Sequence, residues 1–138
     1  MAVSTLLIVI AVVLIAHGIG HYMGVLSAFG VRLSPKSSSQ SWLFTNLLGE
    51  KISRIISFII WILALLGFIG AGLSLLGWIL PQNIWEPLGI ISAILSLAGL
   101  MLFWNAFAFI FNKIGALGVN IAVLVALLIL HWPSDLIK

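Results

Sequence analysis

Four long apolar segments fill almost the whole chain and constrain its fold more than any other feature. They cover residues 2–26, 52–78, 84–111 and 114–132. About 20 apolar residues at ~1.5 Å per residue form a helix that crosses the ~30 Å hydrocarbon core of a bilayer. We therefore predict an all-α membrane protein. Its four transmembrane helices form an up-down bundle in a single domain, residues 1–138.

Composition excludes several other classes of protein. Hydrophobic residues make up 63% of the chain and charged residues 7%, which no ordinary soluble domain shows. The chain contains no cysteine, so thiol catalysis and cysteine-ligated metal clusters are excluded. The first apolar run is too long for a signal-peptide core and is interpreted as a retained span. We expect a multi-pass protein of the cell membrane that binds no nucleic acid.

Basic residues are divided unevenly between the two ends of the predicted bundle. If successive helices alternate in direction, the loop of residues 27–51 and the turn before the fourth span share one side of the membrane. That side carries Arg32, Lys36, Lys51, Arg54 and Lys113, whereas the other carries Lys138 with Glu86 and Asp135. Basic residues in short loops stay in the cytoplasm. We therefore predict that the loop 27–51 is cytoplasmic and that both termini lie on the outer side.

Two further patterns concern packing. Residues 42–50 mix apolar and polar side chains, which fits either a short helix on the inner headgroup layer or a lead-in to the second span. Small residues recur at three- and four-residue spacing on the second and third spans. They are Gly67, Gly70, Ala71 and Ser74, and Gly89, Ser92, Ala93, Ser96 and Gly99. Because small residues let helices approach closely in lipid, we expect these two faces to meet.

Polar residues within the spans are the candidates for a functional site. They are His17, His21, Ser57, Asn105, Asn120 and His131. No charged residue lies deep in a span, which argues against a transporter built on a buried carboxylate. A polar side chain costs free energy against lipid tails, so most of these should face the bundle interior. All except His131 fall in the inner half, and Asn120 and His131 are expected to share one inward face.

His17 and His21, in the stretch HGIGHYMG, form the sharpest motif. Residues at positions i and i+4 project from one face of a helix, as histidines do when they bind one metal ion. No cysteine or acid accompanies them, and Asn105 or Asn120 would be a weak metal ligand. Three interpretations stay open: a metal or haem site, a pocket for a small apolar or quinone-like ligand formed by these four residues, and hydrogen bonding between helices.

Several stretches resemble a known family. They are AHGIGHYMGVLSAFGV, the serine-rich loop after it, Trp61, and FWNAF followed by GALGVNIAVLV. They are similar to a family of small prokaryotic four-helix membrane proteins of unknown function and, more distantly, to the DoxX-like group. His17, His21, Ala28, Phe29, Gly30, Trp104 and Asn120 carry the resemblance. It implies a four-helix integral membrane fold without an assigned activity. The family often has an acid where this chain has Asn105.

Three hypotheses of function follow from these observations. The first is a protein that acts through helix contacts in the bilayer, as an accessory subunit of a membrane-protein partner or as a homo-oligomer. The second is a binder of haem, a metal or a quinone-like ligand at His17 and His21. The third is a small channel or facilitator lined by the stretch FWNAFAFIFN. Enzyme activity ranks last, because no nucleophile with a base and an orienting group is visible, and no catalytic residue is predicted.

Overall fold

The computed structural model describes residues 2–137, and over that range the secondary structure is helical, with loops between the helices and no β-strand. The α-helices are α1 (Ala2–Gly20), α2 (Tyr22–Ala28), α3 (Phe44–Leu48), α4 (Glu50–Leu75), α5 (Trp85–Leu102) and α6 (Ile110–Leu124). α6 continues as a π-helical turn, Val125–Ile129. Short 3₁₀ turns lie at Gln82–Ile84, Trp104–Ala106 and Ser134–Leu136. Lys138, one of the residues predicted on the outer side, lies outside the described residues.

Four segments are long and apolar enough to cross a membrane. They are Ser4–Ala28, Glu50–Leu75, Gln82–Leu102 and Ile110–Ile129. The first combines α1 and α2, and each of the others contains one long helix. Large apolar side chains on all four are exposed, Ile8, Leu66, Ile94 and Ile114 among them. Outward apolar faces of this kind are typical of helices that contact lipid. The predicted all-α fold with four such helices is confirmed.

The boundary between the third and fourth spans lies earlier than the sequence predicts. The predicted third span ends at Phe111, with a turn at Lys113, but α5 ends at Leu102 and Lys113 lies within α6. Residues 103–109 connect the two helices. Phe103 and Phe107 in this connection are buried in the core beside α4. Part of this stretch is therefore apolar because it packs inside the protein, and hydropathy does not separate that environment from lipid.

α4 is the central helix and packs against α1 and α2 on one side and α5 on the other. Between α4 and α5, a Cβ atom on Gly67 would collide with the Ser92 side chain. On the other side, a Cβ atom on Gly18 would lie 3.0 Å from the Leu65 carbonyl oxygen. The predicted meeting of the small-residue faces of α4 and α5 is confirmed, and α1 approaches α4 just as closely.

The loop before α4 folds back on the connection between α5 and α6. The Ser38 backbone N–H donates to the Asn105 carbonyl oxygen at 2.8 Å, and Trp42 Nε1 donates to the Met101 carbonyl oxygen at 2.9 Å. α3 is a separate short helix, divided from α4 by Gly49 with φ +83°. A helix within residues 42–50 is thus confirmed, and its place on the headgroup layer stays a prediction.

Candidate functional site

His21 lies at the break between α1 and α2, in the centre of the bundle. Its side chain is 0% exposed. The imidazole contacts the rings of Trp61, Phe68 and Phe107, with centroid distances of 5.8, 5.5 and 5.9 Å. A Cβ atom on Gly24 would lie 2.5 Å from Trp61 Cγ, so glycine is required there for the indole to reach this position. The histidine is therefore held in a tight aromatic cage.

A closed set of hydrogen bonds joins the first span to α5 and α6. His17 Nε2 lies 2.9 Å from Asn120 Oδ1, and Asn120 Nδ2 lies 2.6 Å from Ser96 Oγ. Ser96 Oγ lies 2.6 Å from His21 Nε2, and His21 Nδ1 lies 2.9 Å from the His17 carbonyl oxygen. Except for the half-buried His17, these side chains are fully buried. We call this set the His–Asn–Ser ring.

The direction of each hydrogen bond in the ring follows from the groups that can only accept. The His17 carbonyl oxygen accepts, so Nδ1 of His21 carries a proton and its Nε2, in the neutral ring, accepts from the Ser96 hydroxyl. Asn120 Oδ1 also accepts, so Nε2 of His17 carries a proton. Asn120 Nδ2 then donates to Ser96 Oγ. Two neutral histidines in opposite tautomers satisfy every bond, and Nδ1 of His17 is left as a free acceptor.

An open-sided cavity of about 300 Å³ lies beside this acceptor, between the first span and α6. His17 and Asn112 give it polar walls, and Phe107 and Phe111 give it aromatic ones. Asn112 Nδ2 donates at 3.2 Å to Met23 Sδ, a weak acceptor. Nδ1 of His17 makes no hydrogen bond within residues 2–137. The cavity therefore offers a ligand one strong acceptor and one weakly engaged amide.

A second cavity, of about 230 Å³, continues between α1 and α6 toward the far end of α6. Its walls are apolar and include Val9, Val13, Leu14, Trp85, Ala122 and Ala126. Val119 lines both cavities, so the two adjoin at that residue. We call the pair the α1–α6 groove. It has one polar end and one apolar end.

The structure brings together three of the four predicted site residues. His17, His21 and Asn120 belong to the His–Asn–Ser ring. Asn105 does not, because it lies in the connection after α5, where its side chain is exposed and its carbonyl oxygen binds Ser38. Ser96 takes the place predicted for Asn105. The position of Ser96 on the small-residue face of α5 predicts only that it packs against another helix. No other feature of the sequence indicates that its hydroxyl bonds to His21 and Asn120.

Two other polar residues predicted to face inward lie apart from the ring. Ser57 is fully buried, and within residues 2–137 neither its Oγ nor the nearby Trp61 Nε1 has a hydrogen-bond partner. His131 is exposed and has φ +49°. Asn120 and His131 would share an inward face only if a regular α-helix continued over the eleven residues between them. The π-helical turn Val125–Ile129 interrupts that regular helix, and the helix ends after it. That prediction is wrong for His131.

The ring residues fit a metal ion or a haem poorly. Residues 2–137 contain no group of three His, Cys, Asp or Glu side chains that would hold a metal. Nε2 of each histidine is engaged in a hydrogen bond, and the two rings are nearly perpendicular at 4.8 Å between centroids. A single free imidazole lone pair, on His17, suits a ligand that donates a hydrogen bond better than a coordinated ion.

Comparison of the chain with protein-family models, with curated proteins and with solved structures finds no match. The resemblance to small prokaryotic four-helix membrane proteins therefore stays a prediction. The α1–α6 groove and the His–Asn–Ser ring beside it are the features from which a function can be inferred.

Proposed function

We propose that the chain is a multi-pass protein of the cell membrane, with both termini outside, that binds a small amphipathic molecule in the α1–α6 groove. The observation that carries the proposal is the free acceptor on His17 in the polar cavity of the groove, which adjoins an apolar cavity. The polar end of the ligand lies against His17, and its apolar part lies along Val119 and Val13. The open side of the groove gives access from the lipid.

The His–Asn–Ser ring also selects the chemistry of the ligand's polar end. Because Asn120 holds the proton of His17 on Nε2, the Nδ1 atom can only accept. A ligand with a hydroxyl group can donate a hydrogen bond to this atom. A ligand with only a carbonyl oxygen cannot, because it would place the lone pair of that oxygen against the lone pair of Nδ1. A quinol meets the requirement and its oxidised quinone does not. One net hydrogen bond of ~0.5–1.5 kcal/mol favours the quinol roughly two- to tenfold.

The test is equilibrium dialysis between lipid nanodiscs with and without the protein, using a short-chain ubiquinol and the matching ubiquinone. Empty nanodiscs measure partition into lipid, so the excess in protein-containing discs measures binding. The quinol should accumulate in the protein-containing discs and exceed the quinone. His17→Leu should remove that preference, because it removes the acceptor. Equal partition into both kinds of disc would contradict the proposal.

Two further variants test whether binding depends on the groove itself. Val119→Trp fills the junction of the two cavities and should abolish binding of both compounds while His17 stays in place. Asn105→Ala is the matched control, since Asn105 lies outside the groove, and should bind like the unaltered protein. If Val119→Trp binds normally, the groove is not the site.

A second proposed function, action through helix contacts as an accessory subunit or homo-oligomer, is favoured by small residues on α6. Gly118 is exposed, and a Cβ atom placed on it would meet nothing within 4 Å. Such residues permit close approach of another transmembrane helix. Sedimentation of the detergent-solubilised protein tests this: Gly118→Leu should dissociate an oligomer, and a monomeric parent protein would argue against self-association. The channel hypothesis stays a prediction.

A further inference from the structure

A further pocket, chemically different from the α1–α6 groove, lies at the end of the molecule that carries the loop 27–51. It has a volume of about 220 Å³ and is formed by the end of α2, the start of α4 and the serine-rich loop. Its lining residues include Ser27, Arg32, Ser39, Gln40, Glu50 and Arg54. We call it the arginine–serine pocket. Its walls carry two guanidinium groups and several hydroxyl groups, in contrast to the apolar α1–α6 groove.

The position of Arg54 is fixed by the protein backbone. Its Nε donates to the Ala28 carbonyl oxygen at 3.0 Å, at the end of α2. Gly30 lies against the same guanidinium, and a Cβ atom there would be 3.1 Å from Nη2. Within residues 2–137, neither Arg54 nor Arg32 pairs with a carboxylate, although Glu50 also lines the pocket. The remaining guanidinium N–H groups of Arg54 are therefore available to an anion.

A buried hydroxyl without a partner points to the same conclusion. Ser27 lines the pocket, is 3% exposed, and its Oγ has no hydrogen-bond partner within residues 2–137. A buried unsatisfied hydroxyl costs free energy, and native structures rarely keep one without a reason. Ser39, also nearly buried, makes no side-chain hydrogen bond over that range either. Two hydroxyl donors and a fixed guanidinium match the oxygens of a phosphate group.

An adjoining groove extends the pocket along the outer surface of α4. It has a volume of about 610 Å³ and shares Arg54 and Glu50 with the arginine–serine pocket. Lys51 adds a positive charge, and Phe29, Ile55 and Phe58 give the groove an apolar wall on a membrane-crossing helix. A molecule with its phosphate in the pocket has a place in this groove for a hydrocarbon chain.

We propose that the arginine–serine pocket binds a phosphate group, held by the Arg54 guanidinium and the Ser27 hydroxyl. Two sources carry this chemistry, the headgroup of an anionic phospholipid and free phosphate. The site is separate from the proposed ligand site beside His17 and does not depend on it. The adjoining apolar groove favours the lipid, and the experiment distinguishes the two sources.

Native mass spectrometry of the protein in detergent, with added phosphatidylglycerol or phosphatidylcholine of the same chains, tests the proposal. Phosphatidylglycerol adducts should exceed phosphatidylcholine adducts. Arg54→Gln should reduce them about tenfold, because charge-assisted hydrogen bonds are lost. Lys36→Gln is the matched control, since it removes one positive charge from the loop that lines the pocket, but Lys36 itself does not line it. Equal loss in both variants would mean general charge attraction and would overturn the proposal.

Ser27→Ala keeps the test decisive if Arg54→Gln fails to fold. It removes an unpartnered hydroxyl, so the fold should survive, and lipid binding should fall about threefold or more. Competition with inorganic phosphate identifies the source. Displacement of the lipid by phosphate alone would support a phosphate site open to the free ion, and persistence of the lipid would support the phospholipid. Normal phosphatidylglycerol binding by Ser27→Ala and by Arg54→Gln would refute the site.

Discussion

Replacing Ser96 by alanine is the sharpest test of the His–Asn–Ser ring. The Ser96 hydroxyl donates to His21 and accepts from Asn120, with both distances at 2.6 Å. Ser96→Ala removes both bonds at once and deletes one oxygen atom without adding bulk. It leaves an unpaired imidazole nitrogen and an unpaired amide N–H. Both belong to side chains that are 0% exposed, so water cannot replace the lost partner.

The expected cost lies between two limits. An interhelical side-chain hydrogen bond in a membrane bundle averages ~0.6 kcal/mol, so two such bonds give a lower limit of about 1 kcal/mol. A buried group left unsatisfied costs ~1–3 kcal/mol, so two at the top of that range give an upper limit of about 6 kcal/mol. Because neither partner can turn toward solvent, we expect Ser96→Ala to lower the free energy of unfolding by about 2–3 kcal/mol.

Ser92→Ala is a control on the same helix, one turn earlier. Ser92 is 1% exposed, and its hydroxyl donates to the Leu88 carbonyl oxygen of its own helix at 2.6 Å. Removing this hydroxyl leaves no polar group of another helix without a partner. Ser92→Ala should therefore lower the free energy of unfolding by less than about 0.5 kcal/mol. Reversible unfolding in mixed micelles, followed by circular dichroism, measures both variants. If the two costs agree within about 0.5 kcal/mol, the ring does not link the helices as described.

Three further predictions concern single sites. Nitrogen NMR of histidine-labelled protein should find His21 protonated on Nδ1 and His17 on Nε2, and identical tautomers would contradict the direction of the ring. Gly24→Ala should cost ~1–3 kcal/mol in the same unfolding assay, because its Cβ would overlap a buried indole, whereas Gly20→Ala, with nothing within 4 Å, should be neutral or stabilising. Ser57→Ala should leave stability unchanged or raise it by up to ~1 kcal/mol, because that hydroxyl has no partner within residues 2–137, and a clear loss would reveal one.

The four helices are predictable because the bilayer sets their length. About 20 apolar residues are needed to span it, and four stretches of the chain supply them. The end of α5 was not predictable in the same way. Phe103 and Phe107 are as apolar as residues that face lipid, but they are buried inside the bundle. A hydropathy pattern records how apolar a residue is and does not record what covers it.

The site was predictable to the extent that helical spacing determines it. His17 and His21 share a face because they are one turn apart, and Asn120 could be matched to them by depth. Asn105 was matched to them by the same reasoning, which fails because α5 ends at Leu102. Ser96 is recognisable only once α5 is packed on α4, since a serine among small residues has the same pattern whether its hydroxyl bonds within its helix or across to another.

The His–Asn–Ser ring also explains how a groove can persist between α1 and α6. α1 packs mainly on α4 and touches α6 little, so apolar contact does not close the gap between them. The bond from His17 to Asn120 crosses that gap directly, and Ser96 ties Asn120 to α5. The ring therefore joins the two helices at one level and leaves a cavity between them on either side of that level. Because these same bonds determine which nitrogen of His17 accepts, the geometry that stabilises the bundle also sets the chemistry offered to a ligand.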